Sequence, residues 1–239
     1  MNSQTQEFTL NGSAGSLECR LDKPEASLRG IALIAHPHPL YGGTMDNKVV
    51  ATLARAFVHC GWRTVRFNFR GIGGSAGACT SLWLAFHPDL ADPASADPIA
   101  RESTRLLAAA VNGAQTTLDP QQMKEWTPNS TYGGHAFALG KFDNFLAQRA
   151  TILPWIAEYS PYALVTRDDP PVYLFYTVEP ALGQPQKDPT HTSNFGVKLQ
   201  EHCRANGVAC ELVYPGAPDV KHKTVDEYLI EKLKAASAE

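Results

Sequence analysis

The sequence has no excess of basic residues, no long apolar run and no secretory signal. Its formal net charge is −3 at pH 7 and no segment forms a basic stripe, which argues against nucleic-acid binding. Apolar stretches such as Ile31–Ala35 are much too short for a membrane helix. The first residues lack the basic and apolar regions of a signal peptide. We therefore expect a cytoplasmic protein without a nucleic-acid or membrane partner.

Paired cysteine motifs are also absent. The five cysteines are an odd number at unrelated spacings, with no C-x-x-C pair. This usage favours reduced thiols, with a bridge between Cys203 and Cys210 as the alternative. His36 and His38 have no third residue at a useful spacing for a metal. We expect neither a metal nor another cofactor.

The chain has enough apolar sequence for a substantial core. Of its 239 residues, 44% are hydrophobic and 19% charged, which is typical of a globular protein. The length fits one domain, so we expect residues 1–239 to form a single unit.

Apolar segments without polar alternation indicate a parallel sheet. Gly30–Ala35 has no polar position, as expected for a strand covered on both faces. A helix with one apolar face is predicted over Asn47–Cys60, and a strand over Thr64–Phe69. Further strands are predicted at 106–111, 171–176 and 210–214, and further helices after residue 77, at 192–206 and at 224–236. This alternation predicts an α/β fold.

One long segment shows no clear periodicity. Residues 119–169 contain scattered aromatic residues among prolines and glycines. Such an aromatic-rich insertion is typical of a cap over a pocket. The alternative is an irregular part of the core.

The run Gly73–Gly77 has the pattern of a nucleophile elbow. In G-x-S-x-G the serine occupies a strained turn between a strand and a helix, so its neighbours must be small. Here Ser75 is flanked by Gly74 and Ala76, a strand precedes it, and an apolar helix follows. No lysine follows as in a phosphate-binding loop. Ser75 is the predicted nucleophile.

A serine hydroxyl needs a base, and the base needs an orienting carboxylate. In hydrolases whose nucleophile lies in such an elbow, the acid follows a late strand and the histidine follows the last strand. Asp188 and His222 satisfy this order. The sequence leaves other candidates: His191 and His135 as the base, and Asp219 and Glu179 as the acid.

The oxyanion of the tetrahedral intermediate needs two N–H donors. One is predicted to be the backbone of Ala76, which directly follows the nucleophile. The second should come from the loop after the Ile31–Ala35 strand, where prolines leave His38, Leu40 or Tyr41 as donors. His38 is our first choice.

Two parts of the chain resemble known families. Residues 35–50, continued by Arg66–Gly71, resemble a compact family of α/β-hydrolases. From about Gly73 onward the sequence resembles carboxylesterase and lipase-like proteins with a Gly-Gly-Ser-Ala-Gly elbow. There, Pro170–Phe175 and Lys187–His191 are similar to the late strand and acid loop of that branch. Together the resemblances cover nearly the whole chain.

Both resemblances imply the α/β-hydrolase fold and ester-cleaving chemistry. Ser75, Asp188 and His222 are the positions that match the triad of the second family. In the first family a helix and a strand separate Arg66–Gly71 from the elbow, whereas here the elbow follows at once. The chain thus resembles a join of two hydrolases near Gly73–Gly77. We expect a mostly parallel, doubly wound sheet that is short of one αβ unit.

The missing unit leaves the arrangement open between a compact sheet, a rearranged sheet and a domain-swapped homodimer. The sequence predicts a serine hydrolase acting on small carboxylic esters of short to medium acyl chain. The alternative is a catalytically impaired hydrolase fold that only binds ligands or partners. In a third interpretation, Ser75 merely lies in the loop that follows the strand.

Overall fold

The computed structural model describes residues 5–12, 15–25, 28–35, 44–46, 48–67, 74–96 and 100–236. It divides into two compact units, Met1–Gly77 and Ala78–Glu239. The expectation of a single domain over 1–239 stays a prediction. Within the described ranges, no helix is long and apolar enough to cross a membrane.

The first unit contains a four-stranded mixed sheet. Strands β1 (Thr5–Gly12) and β2 (Gly15–Asp22) form an antiparallel hairpin. Strand β4 (Trp62–Phe67) pairs antiparallel with β2 and parallel with β3 (Gly30–Ala35), which gives the order β1-β2-β4-β3. Helix α1 (Lys48–His59) connects the two parallel strands.

The apolar stripe predicted for the first helix packs against β3. Val50 and Ala54 of α1 form a buried cluster with Ile34, and Leu53 and Phe57 border it. The prediction for β3 was wrong in one respect: its residues alternate, with Ile34 buried and Ile31 54% exposed. The strand is therefore covered on one face and not on two.

The second unit contains a three-stranded, fully parallel sheet. Strands β5 (Ala109–Asn112), β6 (Val172–Phe175) and β7 (Cys210–Val213) pair in this order. Helix α2 (Gly74–Phe86) precedes β5, and α7 (Ser193–Ala205) lies between β6 and β7 in the chain. The final helix, α8, spans Val225–Ala235.

The central strand β6 is buried on both faces, as the absence of polar alternation predicts. Val172, Tyr173 and Leu174 are all fully buried. Val172 and Leu174 belong to a cluster with Leu82 of α2, whereas Tyr173 packs on the other face against Tyr228 of α8. Helices therefore cover this sheet on two faces, which is the doubly wound arrangement.

The segment 119–169 is helical, which the sequence did not predict. It contains α3 (Pro120–Trp126), a short 3-10 helix (Gly134–Phe137), α4 (Phe142–Ala147), α5 (Arg149–Tyr159) and α6 (Pro161–Leu164). Short lengths, and Pro154 inside α5, hide the helical period. Four of its eight aromatic residues form a buried apolar cluster with Phe195 of α7; the members from the segment are Met123, Trp126, Phe137, Phe142, Phe145, Ile152 and Ile156.

An ion pair links the starts of α3 and α5. The side chain of Asp119 caps α3 by accepting a hydrogen bond from the N–H of Gln121 at 2.9 Å. The same carboxylate accepts two hydrogen bonds from Arg149, at 2.7 and 2.6 Å. Asp119 is 4% exposed, and the bidentate contact with Arg149 compensates this buried carboxylate.

We expect Arg149→Ala to destabilise the protein by about 2 kcal/mol. The substitution leaves a buried carboxylate without its cation, and the partial exposure of Arg149 places the cost below that of a fully buried pair. Urea-induced unfolding followed by circular dichroism measures the change. Arg167→Ala, which removes an exposed arginine of the same unit, is the control. Equal stabilities of the two variants would refute this role of the pair.

Candidate functional site

The predicted nucleophile lies in the first turn of α2. Strand β4 ends at Phe67 and α2 begins at Gly74, so Ser75 is the second residue of the helix. The side chains of Ser75 and Ala76, and all of residues 68–73, lie outside the part that the structure describes. The backbone N–H of Ala76 belongs to the first turn, whose N–H groups have no acceptor within the helix. The other predicted oxyanion donor, His38, also lies outside the described residues.

Asp188 is paired with a histidine, but with His191 and not with His222. Asp188 Oδ2 lies 2.8 Å from His191 Nδ1. Asp188 Oδ1 accepts hydrogen bonds from the backbone N–H groups of Thr190 and His191, at 3.1 and 3.2 Å. Burial alone would raise the pKa of Asp188, but these hydrogen bonds from His191 and Thr190 lower it overall. The carboxylate is thus ionised and fixed in direction.

This pair lies at the carboxyl end of β5. Gly113, the residue after β5, donates its N–H to the carbonyl of Phe175, the last residue of β6, at 2.8 Å. Gly113 has φ +56°, and a Cβ built on it would lie 3.5 Å from His191 Cβ. His191 therefore packs against the backbone where the first two strands of the parallel sheet end. In open α/β sheets this edge is where ligands bind.

Two asparagines hold the loop that carries Asp188 and His191. Fully buried Asn194 accepts from the N–H of Ala181 at 2.7 Å and donates to the carbonyls of Trp126 and Ala181, at 2.8 and 3.0 Å. Asn129 exchanges two hydrogen bonds with the backbone of Gln186, at 2.8 and 2.9 Å. The loop after β6 is thereby tied to the helical segment 119–169.

His222 contacts residues of β7 and α8. Its Nδ1 is 2.7 Å from Glu211 Oε2 and its Nε2 is 2.9 Å from Glu231 Oε2. Its N–H donates to Glu211 Oε1 at 2.6 Å, and its carbonyl accepts from the hydroxyl of Tyr173 at 3.1 Å. Glu211 is the second residue of β7 and pairs in register with Tyr173. The predicted pairing of Asp188 with His222 is therefore corrected: both ring nitrogens of His222 face glutamates.

The hydrogen bond to Glu211 raises the pKa of His222; burial opposes this rise and the bond to Glu231 adds to it. On the other side, hydrogen bonds from Lys221 and His222 lower the pKa of Glu231 to about 2. The geometry is that of a protonated imidazole between two carboxylates. Chain order could not show this, because neither glutamate lies within one helical turn of His222 in sequence.

The remaining candidates have other surroundings. Gly216 follows β7, and a Cβ built on it would lie 3.4 Å from Glu179 Oε1, which brings that carboxylate close to the loop after β7. Asp219 has φ +53°. The ring of His135 packs edge-on against Tyr132, with centroids 4.6 Å apart.

Among the described residues, no cluster of three histidine, cysteine or acidic side chains could hold a metal ion. Cys203 and Cys210 are thiols.

The sequence analysis keeps His191 only as an alternative base, although a local signal for its pairing with Asp188 is present. The run Asp188-Pro189-Thr190-His191 places an aspartate before two N–H groups that its side chain can accept from, two and three residues on. Such a turn brings the next histidine back toward the carboxylate. Chain order favours His222 instead, because His222 follows the last strand.

Solved structures with similar folds include esterases. A truncated carbohydrate esterase from gut microbiota superposes with a TM-score of 0.58 at 11% identity, covering 99% of this chain and 97% of that one. Thermogutta terrifontis esterase 2, phosphonylated by sarin, gives 0.59 at 15% identity, covering 100% and 94%. A lipase/esterase from Lactobacillus plantarum gives 0.54 at 13% identity, covering 98% of both chains. The chain has the α/β-hydrolase fold of these esterases.

Sequence comparisons reach less of the chain. No protein-family model matches it. The uncharacterized protein RP471 of Rickettsia prowazekii (strain Madrid E) is 48% identical over 71 residues. That match covers 30% of this chain and 30% of the relative.

We expect His222→Gln to reduce stability most between about pH 4.5 and 6.5. The folded-state pKa of His222 is raised above 6.5, so its contribution is present below that pH and is lost as pH rises through the raised pKa. The pKa of Glu231 is lowered from 4.5, so its contribution is present above 4.5 and is lost as pH falls toward 2.

Urea unfolding of both proteins at a series of pH values measures this difference. Lys221, which also contacts Glu231, is kept in both proteins, so that its contribution cancels. A stability difference that is constant across the range, or that grows above pH 6.5, would contradict a protonated His222 between two glutamates.

Proposed function

We propose that this chain is a serine hydrolase that cleaves carboxylic esters of short to medium acyl chain through an acyl-enzyme on Ser75. The observation that carries the proposal is the position of Ser75: it lies in the first turn of the helix after β4, among small residues, in a chain with an esterase-like fold. Strand–turn–helix is the context that a nucleophile elbow requires.

The helix that carries Ser75 is firmly packed beyond its first turn. Leu82 is fully buried, and Ala85 and Phe86 are each 1% exposed in the cluster that also contains Val111 and Leu174. A nucleophile must be held to a fraction of an ångström for efficient reaction. A helix that begins at the elbow and ends in the core supplies such a support.

The proposed reaction has two halves. The Ser75 hydroxyl loses its proton to a histidine as its oxygen attacks the ester carbonyl, and the alcohol leaves with that proton. Water then loses a proton to the same histidine and attacks the acyl-enzyme, which releases the acid and restores Ser75. The N–H of Ala76 is the proposed oxyanion donor from α2, with His38 as the second donor. The reaction needs no cofactor.

The base in this reaction is one of two histidines. His222 follows the last strand, as chain order predicts, and His191 is the residue that Asp188 contacts. Both lie in the unit that contains β5, β6 and β7.

Apolar substrates are favoured by the surface of the helical segment. Four of its eight aromatic residues are buried in one cluster, but Trp155 and Tyr159 of α5 are 55% and 51% exposed. Trp83 of α2 donates its indole N–H to the carbonyl of Glu158 at 2.9 Å, next to Tyr159. We propose that this aromatic surface favours apolar acyl groups.

We expect Ser75→Ala to lower kcat for p-nitrophenyl esters by at least about 10³-fold, because the acyl-enzyme cannot form. Turnover is measured for acetate, butyrate and octanoate esters, with circular dichroism to confirm the fold. The matched control is Ser81→Ala, a serine of the same helix, which should keep its turnover within about threefold. Substantial turnover by Ser75→Ala would sink the assignment.

Labelling provides an independent measurement. Since the similar Thermogutta esterase was solved as its sarin adduct, we expect a fluorophosphonate probe to modify this chain as well. Peptide mapping should place the adduct on Ser75, and Ser75→Ala should remain unlabelled. If the unmodified protein takes up no probe and turns over no ester, the chain is a binding protein with a hydrolase fold.

A further inference from the structure

Strand β3 lies at one edge of the four-stranded sheet of the first unit. It pairs with β4 on one side, and no other described strand pairs with its second side. All six residues of Gly30–Ala35 follow β4 in unbroken register, so the strand contains no bulge. A strand in this position offers a straight row of backbone donors and acceptors to another strand.

The sequence of β3 has none of the features that usually prevent such pairing. Edge strands of monomeric proteins are protected by charged side chains, prolines, bulges or very short length. Gly30–Ala35 contains no charged residue and no proline, and six residues are an ordinary strand length. We therefore expect this edge to accept another strand.

The side chains of β3 also leave an apolar surface open. Ile34 is buried against α1, so Ile31 and Leu33, at alternate positions, point to the opposite face of the sheet. Ile31 is 54% exposed and Leu33 is 43% exposed. Among the described residues of the first unit, the only other large hydrophobic residue that is similarly exposed is Leu28, two residues before the strand. The exposed apolar surface of this unit is thus concentrated at one strand.

This surface is the margin of a larger apolar face. In register, Leu33 lies beside Val65 of β4, and Val65 lies beside Leu21 of β2. The next row on the same face contains Phe67 and Cys19, which are both buried. The face is therefore covered at the central strands and exposed at β3, where a further strand would extend it.

A second copy of the same strand fits this margin. In an antiparallel pair with a two-fold axis at Ala32, Ile31 lies opposite the partner's Leu33, and Leu33 lies opposite the partner's Ile31. Residues directly opposite each other point to the same face, so the apolar rows of the two copies become continuous. Since Gly30–Ala35 carries no charge, the strand meets no electrostatic repulsion from its own copy.

The contact expected from this pairing is small. Six residues of strand extend over about 20 Å, and few apolar side chains of each copy become buried. Such a contact falls short of the roughly 1,000 Å² that a stable interface buries. We therefore expect a reversible dimer with a Kd on the order of 10 µM.

We propose that β3 is a homodimerisation edge, at which a second copy of this chain adds its own β3 antiparallel, in the register that places Ile31 opposite Leu33. The two four-stranded sheets then become one continuous sheet, in which the order β1-β2-β4-β3 is followed by the same strands of the partner in reverse. The proposal goes beyond the proposed ester hydrolysis and does not depend on the chemistry at Ser75.

Sedimentation velocity over concentrations from about 1 to 200 µM tests the self-association. We expect Ile31→Lys combined with Leu33→Lys to raise the Kd at least about tenfold, because like charges then lie directly opposite each other. The control is Ile230→Lys, which places the same charge at an isoleucine of the second unit that is 49% exposed, and which should leave the Kd unchanged. An unmodified chain that stays monomeric, or a double-lysine variant that dimerises as before, would overturn the proposal.

A charge swap tests the register. The variant with Ile31→Glu and Leu33→Glu should also be monomeric by itself. Mixed in equal amounts with the double-lysine variant, it should form a heterodimer, because each lysine then faces a glutamate. Both positions are about half exposed, so the variants should keep the fold, which circular dichroism verifies. Folded variants that form no heterodimer would refute this register.

Hydrogen exchange of the unmodified chain requires no substitution, and so gives a result even if a double variant fails to fold. Between about 2 and 200 µM, amide protection over Gly30–Ala35 should increase as the dimer forms. Protection over Cys210–Val213, an edge strand of the other sheet, should stay constant. An increase at Cys210–Val213 instead, or at neither strand, would contradict dimerisation through β3.

Discussion

Burial of β6 on both faces is the constraint on which the second unit depends. Val172 and Leu174 point to the cluster shared with α2 and α7, and Tyr173 points to α8. A strand covered on both sides has no room for polar side chains, so its neighbours in a parallel sheet must be reached by helical crossovers. All three strands therefore end at one edge, and the loops that follow them meet there.

This constraint explains which parts of the fold could be predicted. The run Pro171–Tyr176 has no polar alternation, and the strand found there is Val172–Phe175. The apolar face of α1 and the burial of α2 could also be predicted, from the spacing of apolar residues along each helix. The helices of 119–169 could not be predicted in this way, because most of them carry less than two helical periods and α5 contains Pro154, a residue that usually breaks helices. Their stability comes from a cluster of aromatic residues distant in sequence, which local pattern cannot show.

From the sequence one can predict which loops carry the candidate residues, but not which of their side chains contact each other. Chain order points to the loop after β6, where Asp188 lies, because the fold fixes that order. Chain order alone does not identify which residue each of these ionisable side chains contacts. His222 contacts Glu211 on β7 and Glu231 on α8, a geometry that depends on how α8 packs against the sheet. His191, by contrast, meets Asp188 through a local turn of four residues.

The acid loop is linked to the helical segment more closely than its sequence position suggests. Asn194 bonds Trp126 and Ala181 from the start of α7, and Asn129 pairs with the backbone of Gln186. The side-chain amide of an asparagine can donate to a backbone carbonyl and accept from a backbone N–H at the same time. It can therefore hold in place a loop that has no regular secondary structure. The orientation of Asp188 and His191 is thus coupled to the packing of 119–169. A segment that resembles an insertion therefore also serves as the support of the loop at the edge of the sheet.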